Sequence, residues 1–138
     1  MIVDTHAHLD FSRYDQDREE VLRRAAAAGV RQIISVGIDV RSSRRALALA
    51  ERYPGIWATV GLHPHDAVKG DAATYRQLAS LGRHPRVVAV GEQGLDFYYD
   101  HSPRAVQREA FRRQLRLALT LELPVVIHTR DAAEEAWA

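Results

Sequence analysis

Five short and nearly continuous apolar runs recur along the chain, each followed by a helix-forming segment, and that alternation leaves few folds open. The runs are Ile2 and Val3 at the start of MIVDTHAHLD, residues 32–36 (QIISV), Ile56–Val60 (IWATV), residues 87–90 (VVAV) and residues 123–127, with Pro124 at the start of the last. A strand apolar at both parities is buried on both faces, which is the pattern of a parallel sheet covered by helices. The intervening segments have helical spacing. Residues 15–28 lack Gly and Pro, place Val21, Leu22, Ala25 and Ala26 on one side and stop at Gly29. A second alanine-rich helix is expected to be capped by Ser42 or Ser43 and to stop before Pro54 and Gly55, and a third spans Ala72–Leu81 before Gly82. The fourth spans Arg104–Leu121, with Phe111, Leu115 and Ala118 on one stripe and Arg108, Arg112 and Arg116 opposite. After the fifth run the chain enters the first turns of a fifth helix. The expectation is one α/β domain over residues 1–138, built on five β/α units.

Both an open doubly wound sheet and a closed β/α barrel fit this alternation. The placement of polar residues favours the barrel. His6 and His8, the segment 61–65, Glu92 and His128 fall at the carboxyl ends of the first, third, fourth and fifth strands, the edge where parallel α/β proteins carry their sites. Groups drawn from nonadjacent strands onto one centre suit a curved wall. The segment after the first strand, HAHLDFS, contains no glycine-rich phosphate loop, which removes the usual sign of a nucleotide-binding open sheet.

In a strand, residues i and i+2 share a face. His6 and His8 therefore aim two imidazoles at one point, with Asp4 behind and Asp10 beyond. A lone His-x-His is more often a chance pair of surface histidines than a ligand pair. Glu92 and His128 supply the context, because each ends an apolar strand where a charge or imidazole is costly without a partner. Together the four predict a metal site. The chain has no cysteine, so the ligands must be imidazole and carboxylate, a donor set that suits zinc, manganese, iron or, less well, magnesium.

Composition adds limits rather than function. At 46% hydrophobic and 27% charged, with a net charge of +1, the 138 residues match an ordinary globular domain and carry no bulk signature of a nucleic-acid binder. No run approaches a membrane span, and the N-terminus has neither a basic nor an apolar leader region, so the expected location is the cytoplasm.

The segments DTHAHLD, GLHPHD, VAVGEQGLDFYYD and LPVVIHTRDA resemble, in order and along the whole chain, the successive strand ends of the TatD-like metal-dependent deoxyribonucleases. The resemblance implies a TIM-type (β/α)8 barrel fold and a two-metal hydrolase that cleaves phosphodiester bonds in DNA. His6 and His8 would bind one metal ion, Glu92 would bridge both, and His128 would bind the second. Zinc, manganese or magnesium would fill the site, Glu92 would be the essential catalytic ligand, and His63 and Asp96 would approach the substrate. Two other readings stand beside it: a related hydrolase of amide or ester bonds, and a noncatalytic barrel fragment that needs a partner chain. Amide-cleaving relatives often bridge their metals with a modified lysine after the fourth strand, whereas this chain has glutamate there and its sole lysine, Lys69, lies elsewhere.

Family members complete the barrel with three more strands, which add a histidine and an aspartate ligand. A β/α barrel needs about 250 residues, so the expectation here is the first five strands of an incomplete barrel. The barrel-facing sides of Val3, Ile34, Ala58, Val88 and Val126, or of their neighbours, would lack packing partners and favour self-association or docking of a missing C-terminal half. DNA would be held mainly by its phosphates, since only Phe97, Tyr98 and Tyr99 offer rings for base stacking.

Overall fold

In the computed structural model, which describes residues 1–138, each apolar run forms a strand: β1 (Ile2–Ala7), β2 (Val30–Ser35), β3 (Ile56–Val60), β4 (Val87–Asp96) and β5 (Val125–Arg130). Between and after them lie α1 (Arg18–Ala27), α2 (Val40–Arg52), α3 (Ala72–Leu81), α4 (Arg104–Leu121) and α5 (Ala133–Trp137), with 3-10 turns at Ser12–Tyr14 and Pro64–Lys69. The strands are parallel and ordered β1-β2-β3-β4-β5. An order that never reverses, joined by right-handed crossovers, sends every helix to the same face. The product is a curved half-barrel, with β1 and β5 as free edges. No helix is long and apolar enough to cross a membrane.

The core lies between the sheet and that helical layer. Ala46, Leu47 and Ala50 of α2 and Leu78 of α3 pack on Ile33, Ile56, Ala58, Val60 and Val87. Small side chains on α2 let the helix approach β3 closely. Ala58 therefore faces the helices, and of the alternatives the sequence left open at this strand its neighbours Trp57 and Thr59 occupy the concave side. Trp57 is fastened there by an indole hydrogen bond to Gln32. Val3, Ile34, Val88 and Val126 are exposed or only half-buried, as expected of an unfilled barrel face.

Local differences from the sequence reading have local causes. Asp39, not Ser42 or Ser43, caps α2, accepting the Ser42 N–H at 2.6 Å. Both serines are buried one turn inside, where Ser42 donates to Asp10 at 2.7 Å and Ser43 accepts the Gly61 N–H at 3.2 Å. The first helix starts at Arg18 because residues before it form the 3-10 turn that Arg18 ties down through the Leu9 and Phe11 carbonyls.

β4 continues six residues past the expected VVAV and carries Glu92 inside the strand. Between Val90↔Val125 and Gln93↔Ile127 it spends one residue more than β5, a bulge that contains Gly91 and Glu92. β1 has the same device: between Asp4↔Ile33 and Ala7↔Ser35 it carries an extra residue beside His6. Bulges re-aim side chains. Both strands that supply the first histidine pair and the glutamate thus change register at those residues.

Candidate metal centre

Glu92 stands between two groups of histidines at the carboxyl end of the sheet. Its Oε2 lies 3.4 Å from His6 Nε2 and 3.8 Å from His8 Nε2, while Oε1 lies 3.2 Å from His128 Nδ1 and 3.9 Å from His63 Nε2. His6, His8 and Glu92 form one group of ligand atoms lying within 4.8 Å of one another, and His63, His65 and His128 form a second. The two groups open onto a cleft of about 330 Å³ that also reaches Phe11, Ile38 and Arg130.

Each imidazole is oriented by its other nitrogen. His8 Nδ1 faces the Val36 carbonyl at 3.0 Å, an acceptor only, so Nδ1 carries the proton and the Nε2 lone pair points toward Glu92. His63 is the opposite case. Its Nδ1 accepts the backbone N–H of His65 at 3.1 Å, which leaves Nε2–H directed at Glu92. Burial pushes the His63 pKa down to about 4 against the opposing pull of Glu92, so this ring is neutral at pH 7.

Asp96 lies at the floor with no exposed area. Its Oδ2 takes His65 Nε2 at 2.7 Å and His128 Nε2 at 2.9 Å, and its Oδ1 accepts the N–H groups of Tyr98 and Tyr99 at 3.2 and 2.9 Å. Burial pushes its carboxyl upward, but these donors outweigh it and hold the group well below the usual carboxylate range. Burial likewise raises Glu92, and the hydrogen bond from His128 and the surrounding imidazoles bring it below its ordinary value. His128 faces a carboxylate oxygen with each nitrogen. The hydrogen bond to Glu92 first, then that to Asp96, raises its pKa against the cost of burial.

Two glutamines of α4, one complete pair of turns apart, hold the strand ends that carry these groups. Gln107 accepts the Asp96 N–H at 2.8 Å and donates to the Asp96 and Ser102 carbonyls at 3.0 and 2.8 Å. Gln114 accepts the Leu62 N–H at 2.7 Å and donates to the Leu62 carbonyl at 3.0 Å, fixing the residue before His63. Both are wholly buried. Gly94, at φ +138°, permits the close passage of β4 over β5, since a Cβ there would run into the His128 carbonyl.

All six residues singled out in the sequence meet here: His6, His8, His63, Glu92, Asp96 and His128. Asp96 sits beneath the cleft rather than on its wall. His65, Gln107 and Gln114 were not singled out, although two signals for them are visible: His63-x-His65 repeats the spacing of His6-x-His8, and two glutamines interrupt the apolar stripe of α4. The donor set fits divalent metal ions, because it offers imidazole lone pairs and carboxylate oxygens in two compact groups sharing Glu92.

Residues 3–138 match the family described as TatD related DNase. The chain is 44% identical over 135 residues to the metal-dependent hydrolase YabD of Bacillus subtilis, covering 98% of this chain and 53% of that protein. It is 46% identical over 129 residues to the 3'-5' ssDNA/RNA exonuclease TatD of Cronobacter turicensis, covering 94% and 49%. The crystal structure of YjjV, a TatD homologue from Escherichia coli K12, superposes with a TM-score of 0.91 at 38% identity over 98% of this chain and 53% of that one. The chain thus spans about half the length of the relatives it matches. With a family match over nearly every residue and a barrel wall shared with a solved relative, this chain belongs to the TatD-related DNase family.

Proposed function

We propose that the chain carries the metal-binding half of a hydrolase that cleaves phosphodiester bonds in DNA or a related nucleic acid. The observation that carries the reading is the division of Glu92, whose two oxygens face two different histidine groups. His6, His8 and Glu92 Oε2 would hold one divalent ion, and Glu92 Oε1 with His128 a second. Bound there, zinc, manganese or magnesium supplies Lewis acidity toward water and the phosphoryl oxygen. The residues do the positioning. His8 is locked in its ligating tautomer by Val36, His63 offers a neutral Nε2–H donor to the cleft, and Asp96 orients His65 and His128 from below. Both relatives named for an activity are named for metal-dependent hydrolysis or nuclease action, in keeping with this reading. Glu92 in place of a bridging lysine favours phosphoester over amide chemistry.

The free edges of β1 and β5 belong to the same proposal. Ile2 and Val3 on β1 and Val125 on β5 are exposed, and unpaired parallel edges of this kind are completed by further strands, from a complementary half or from a second copy. Titration of the purified chain with manganese or zinc is expected to show binding that His6→Ala with His8→Ala greatly weakens. Release of nucleotides from single-stranded and duplex DNA is expected to need both the metal and Glu92, with a Glu92→Ala chain as control and a supplied C-terminal half raising the rate. Metal binding that ignores the double substitution would refute the site.

A further inference from the structure

Arg130 is the only arginine or lysine on the wall of the metal-centre cleft, where it joins His8, His63, Glu92 and His128. It stands two residues after His128 at the end of β5, and in a strand that spacing puts both side chains on one face. The strand end is fixed. Arg130 is in register with Asp96 of β4, and its carbonyl accepts the Phe97 N–H at 2.9 Å.

The guanidinium is held in place without being used up. It lies over the Tyr99 ring, 5.1 Å from the centroid, and Asp96 Oδ1 accepts the Tyr99 N–H at 2.9 Å, so the residue that carries it is tied to the floor of the site. A guanidinium seated on a ring engages it with its face and leaves its in-plane N–H donors free. The only carboxylate oxygen within 4.0 Å, Asp96 Oδ2, lies at that distance, beyond hydrogen-bond range, and already takes His65 and His128 at 2.7 and 2.9 Å. Other arginines of the chain are matched at close range: Arg45 with Asp15 at 2.8 Å and Arg104 with Asp100 at 2.9 Å. Arg130 instead keeps 46% of its side chain exposed beside the metal centre. His63 directs its Nε2–H into the same cleft.

We propose that Arg130 is a catalytic residue: its N–H fork, together with His63 Nε2–H, grips the nonbridging oxygens of the phosphoryl group being cleaved, and so makes the cleft select a tetrahedral phosphoryl over a planar acyl group. The inference rests on the proposed hydrolase reading and adds to it the group that answers the charge of the transition state. Charge gathers on those oxygens as the bond to the leaving oxygen opens, and donors already in place meet it without reorganisation. An amide or ester carbonyl presents a single oxygen, so a fork suited to two is left half unpaired.

The test is calorimetric titration of the zinc-loaded chain with two small probes. Methylphosphonate mimics the tetrahedral phosphoryl group, and acetohydroxamate mimics a planar acyl group and chelates zinc without needing a guanidinium. Arg130→Gln is expected to weaken methylphosphonate on the order of tenfold or more, leaving acetohydroxamate affinity and zinc stoichiometry unchanged. Tyr99→Phe keeps the ring and should match the parent, whereas Tyr99→Leu should lose part of the phosphonate affinity alone. Arg116→Gln, exposed on α4, should change nothing. Thermal unfolding verifies that each variant folds. Equal phosphonate affinity in the parent and Arg130→Gln, or an equal loss of both probes, overturns the role of Arg130. A parent chain that binds acetohydroxamate and ignores methylphosphonate sinks the phosphoester reading as well, whereas one that binds methylphosphonate regardless of Arg130 loses the clamp and keeps that reading.

Discussion

Replacing Gln107 by leucine is expected to damage both the stability of the chain and its metal site, although Gln107 touches no candidate ligand side chain. The side chain has no exposed area and makes three hydrogen bonds, one accepted from the Asp96 N–H and two donated to the Asp96 and Ser102 carbonyls. Leucine fills a similar volume but strands one buried donor and two buried acceptors. Each costs about 1–3 kcal/mol, and the added apolar surface returns about 1 kcal/mol, so the net loss is about 2–8 kcal/mol. That is a large part of the 5–15 kcal/mol typical of a whole domain. Urea unfolding should show the loss as a lower midpoint with an unchanged slope. Because Asp96 carries His65 and His128 on Oδ2, the manganese titration should weaken in parallel at the second histidine group. Gln107→Glu keeps the acceptor for the Asp96 N–H but sets a buried carboxylate oxygen against two carbonyl oxygens, and should fall well below the parent. A leucine variant within about 1 kcal/mol of the parent, with unaltered metal binding, would refute the idea that this glutamine holds the strand end.

Three further outcomes follow from the geometry. Gly94→Ala places a methyl against the His128 carbonyl at a φ of +138°, and thermal unfolding should register a loss of about 2 kcal/mol or more; a neutral substitution would mean β4 and β5 can part without cost. His63 has its pKa lowered from 6.5 to about 4 in the folded chain, so the unfolded state binds more protons between those values, and metal-free stability should fall by about 3 kcal/mol as pH drops from 6.5 to 4. His63→Gln should lack that component, and parallel pH curves for parent and variant would contradict it. The proton that His128 holds between Glu92 and Asp96 must leave when a metal takes either nitrogen, so affinity should rise with pH through its raised pKa, with proton release detected by calorimetry in buffers of different ionisation heat.

The pattern of alternating runs was enough to place five strands, the helices between them and the parallel sheet, because burial on both faces leaves a continuous apolar signature that no local effect can imitate for long. It also brought His6, His8, Glu92 and His128 to one edge, since strand ends in a parallel sheet share a side by topology alone. What the tertiary structure decided is the aim of each group. The two bulges that turn His6 and Glu92 inward depend on the pairing of β1 with β2 and of β4 with β5, and a register shift of one residue has no mark in either strand alone. Ala58 and Thr59 are equally acceptable in a strand, and only the seat of α2 against β3 determined which faced the helices. The burial of Asp96 beneath His65 and His128, and the grip of Gln107 and Gln114 on β4 and on the turn before His63, join residues 11 to 52 positions apart. Periodicity reports the environment of one segment at a time, whereas these contacts exist only once separate segments have been packed together.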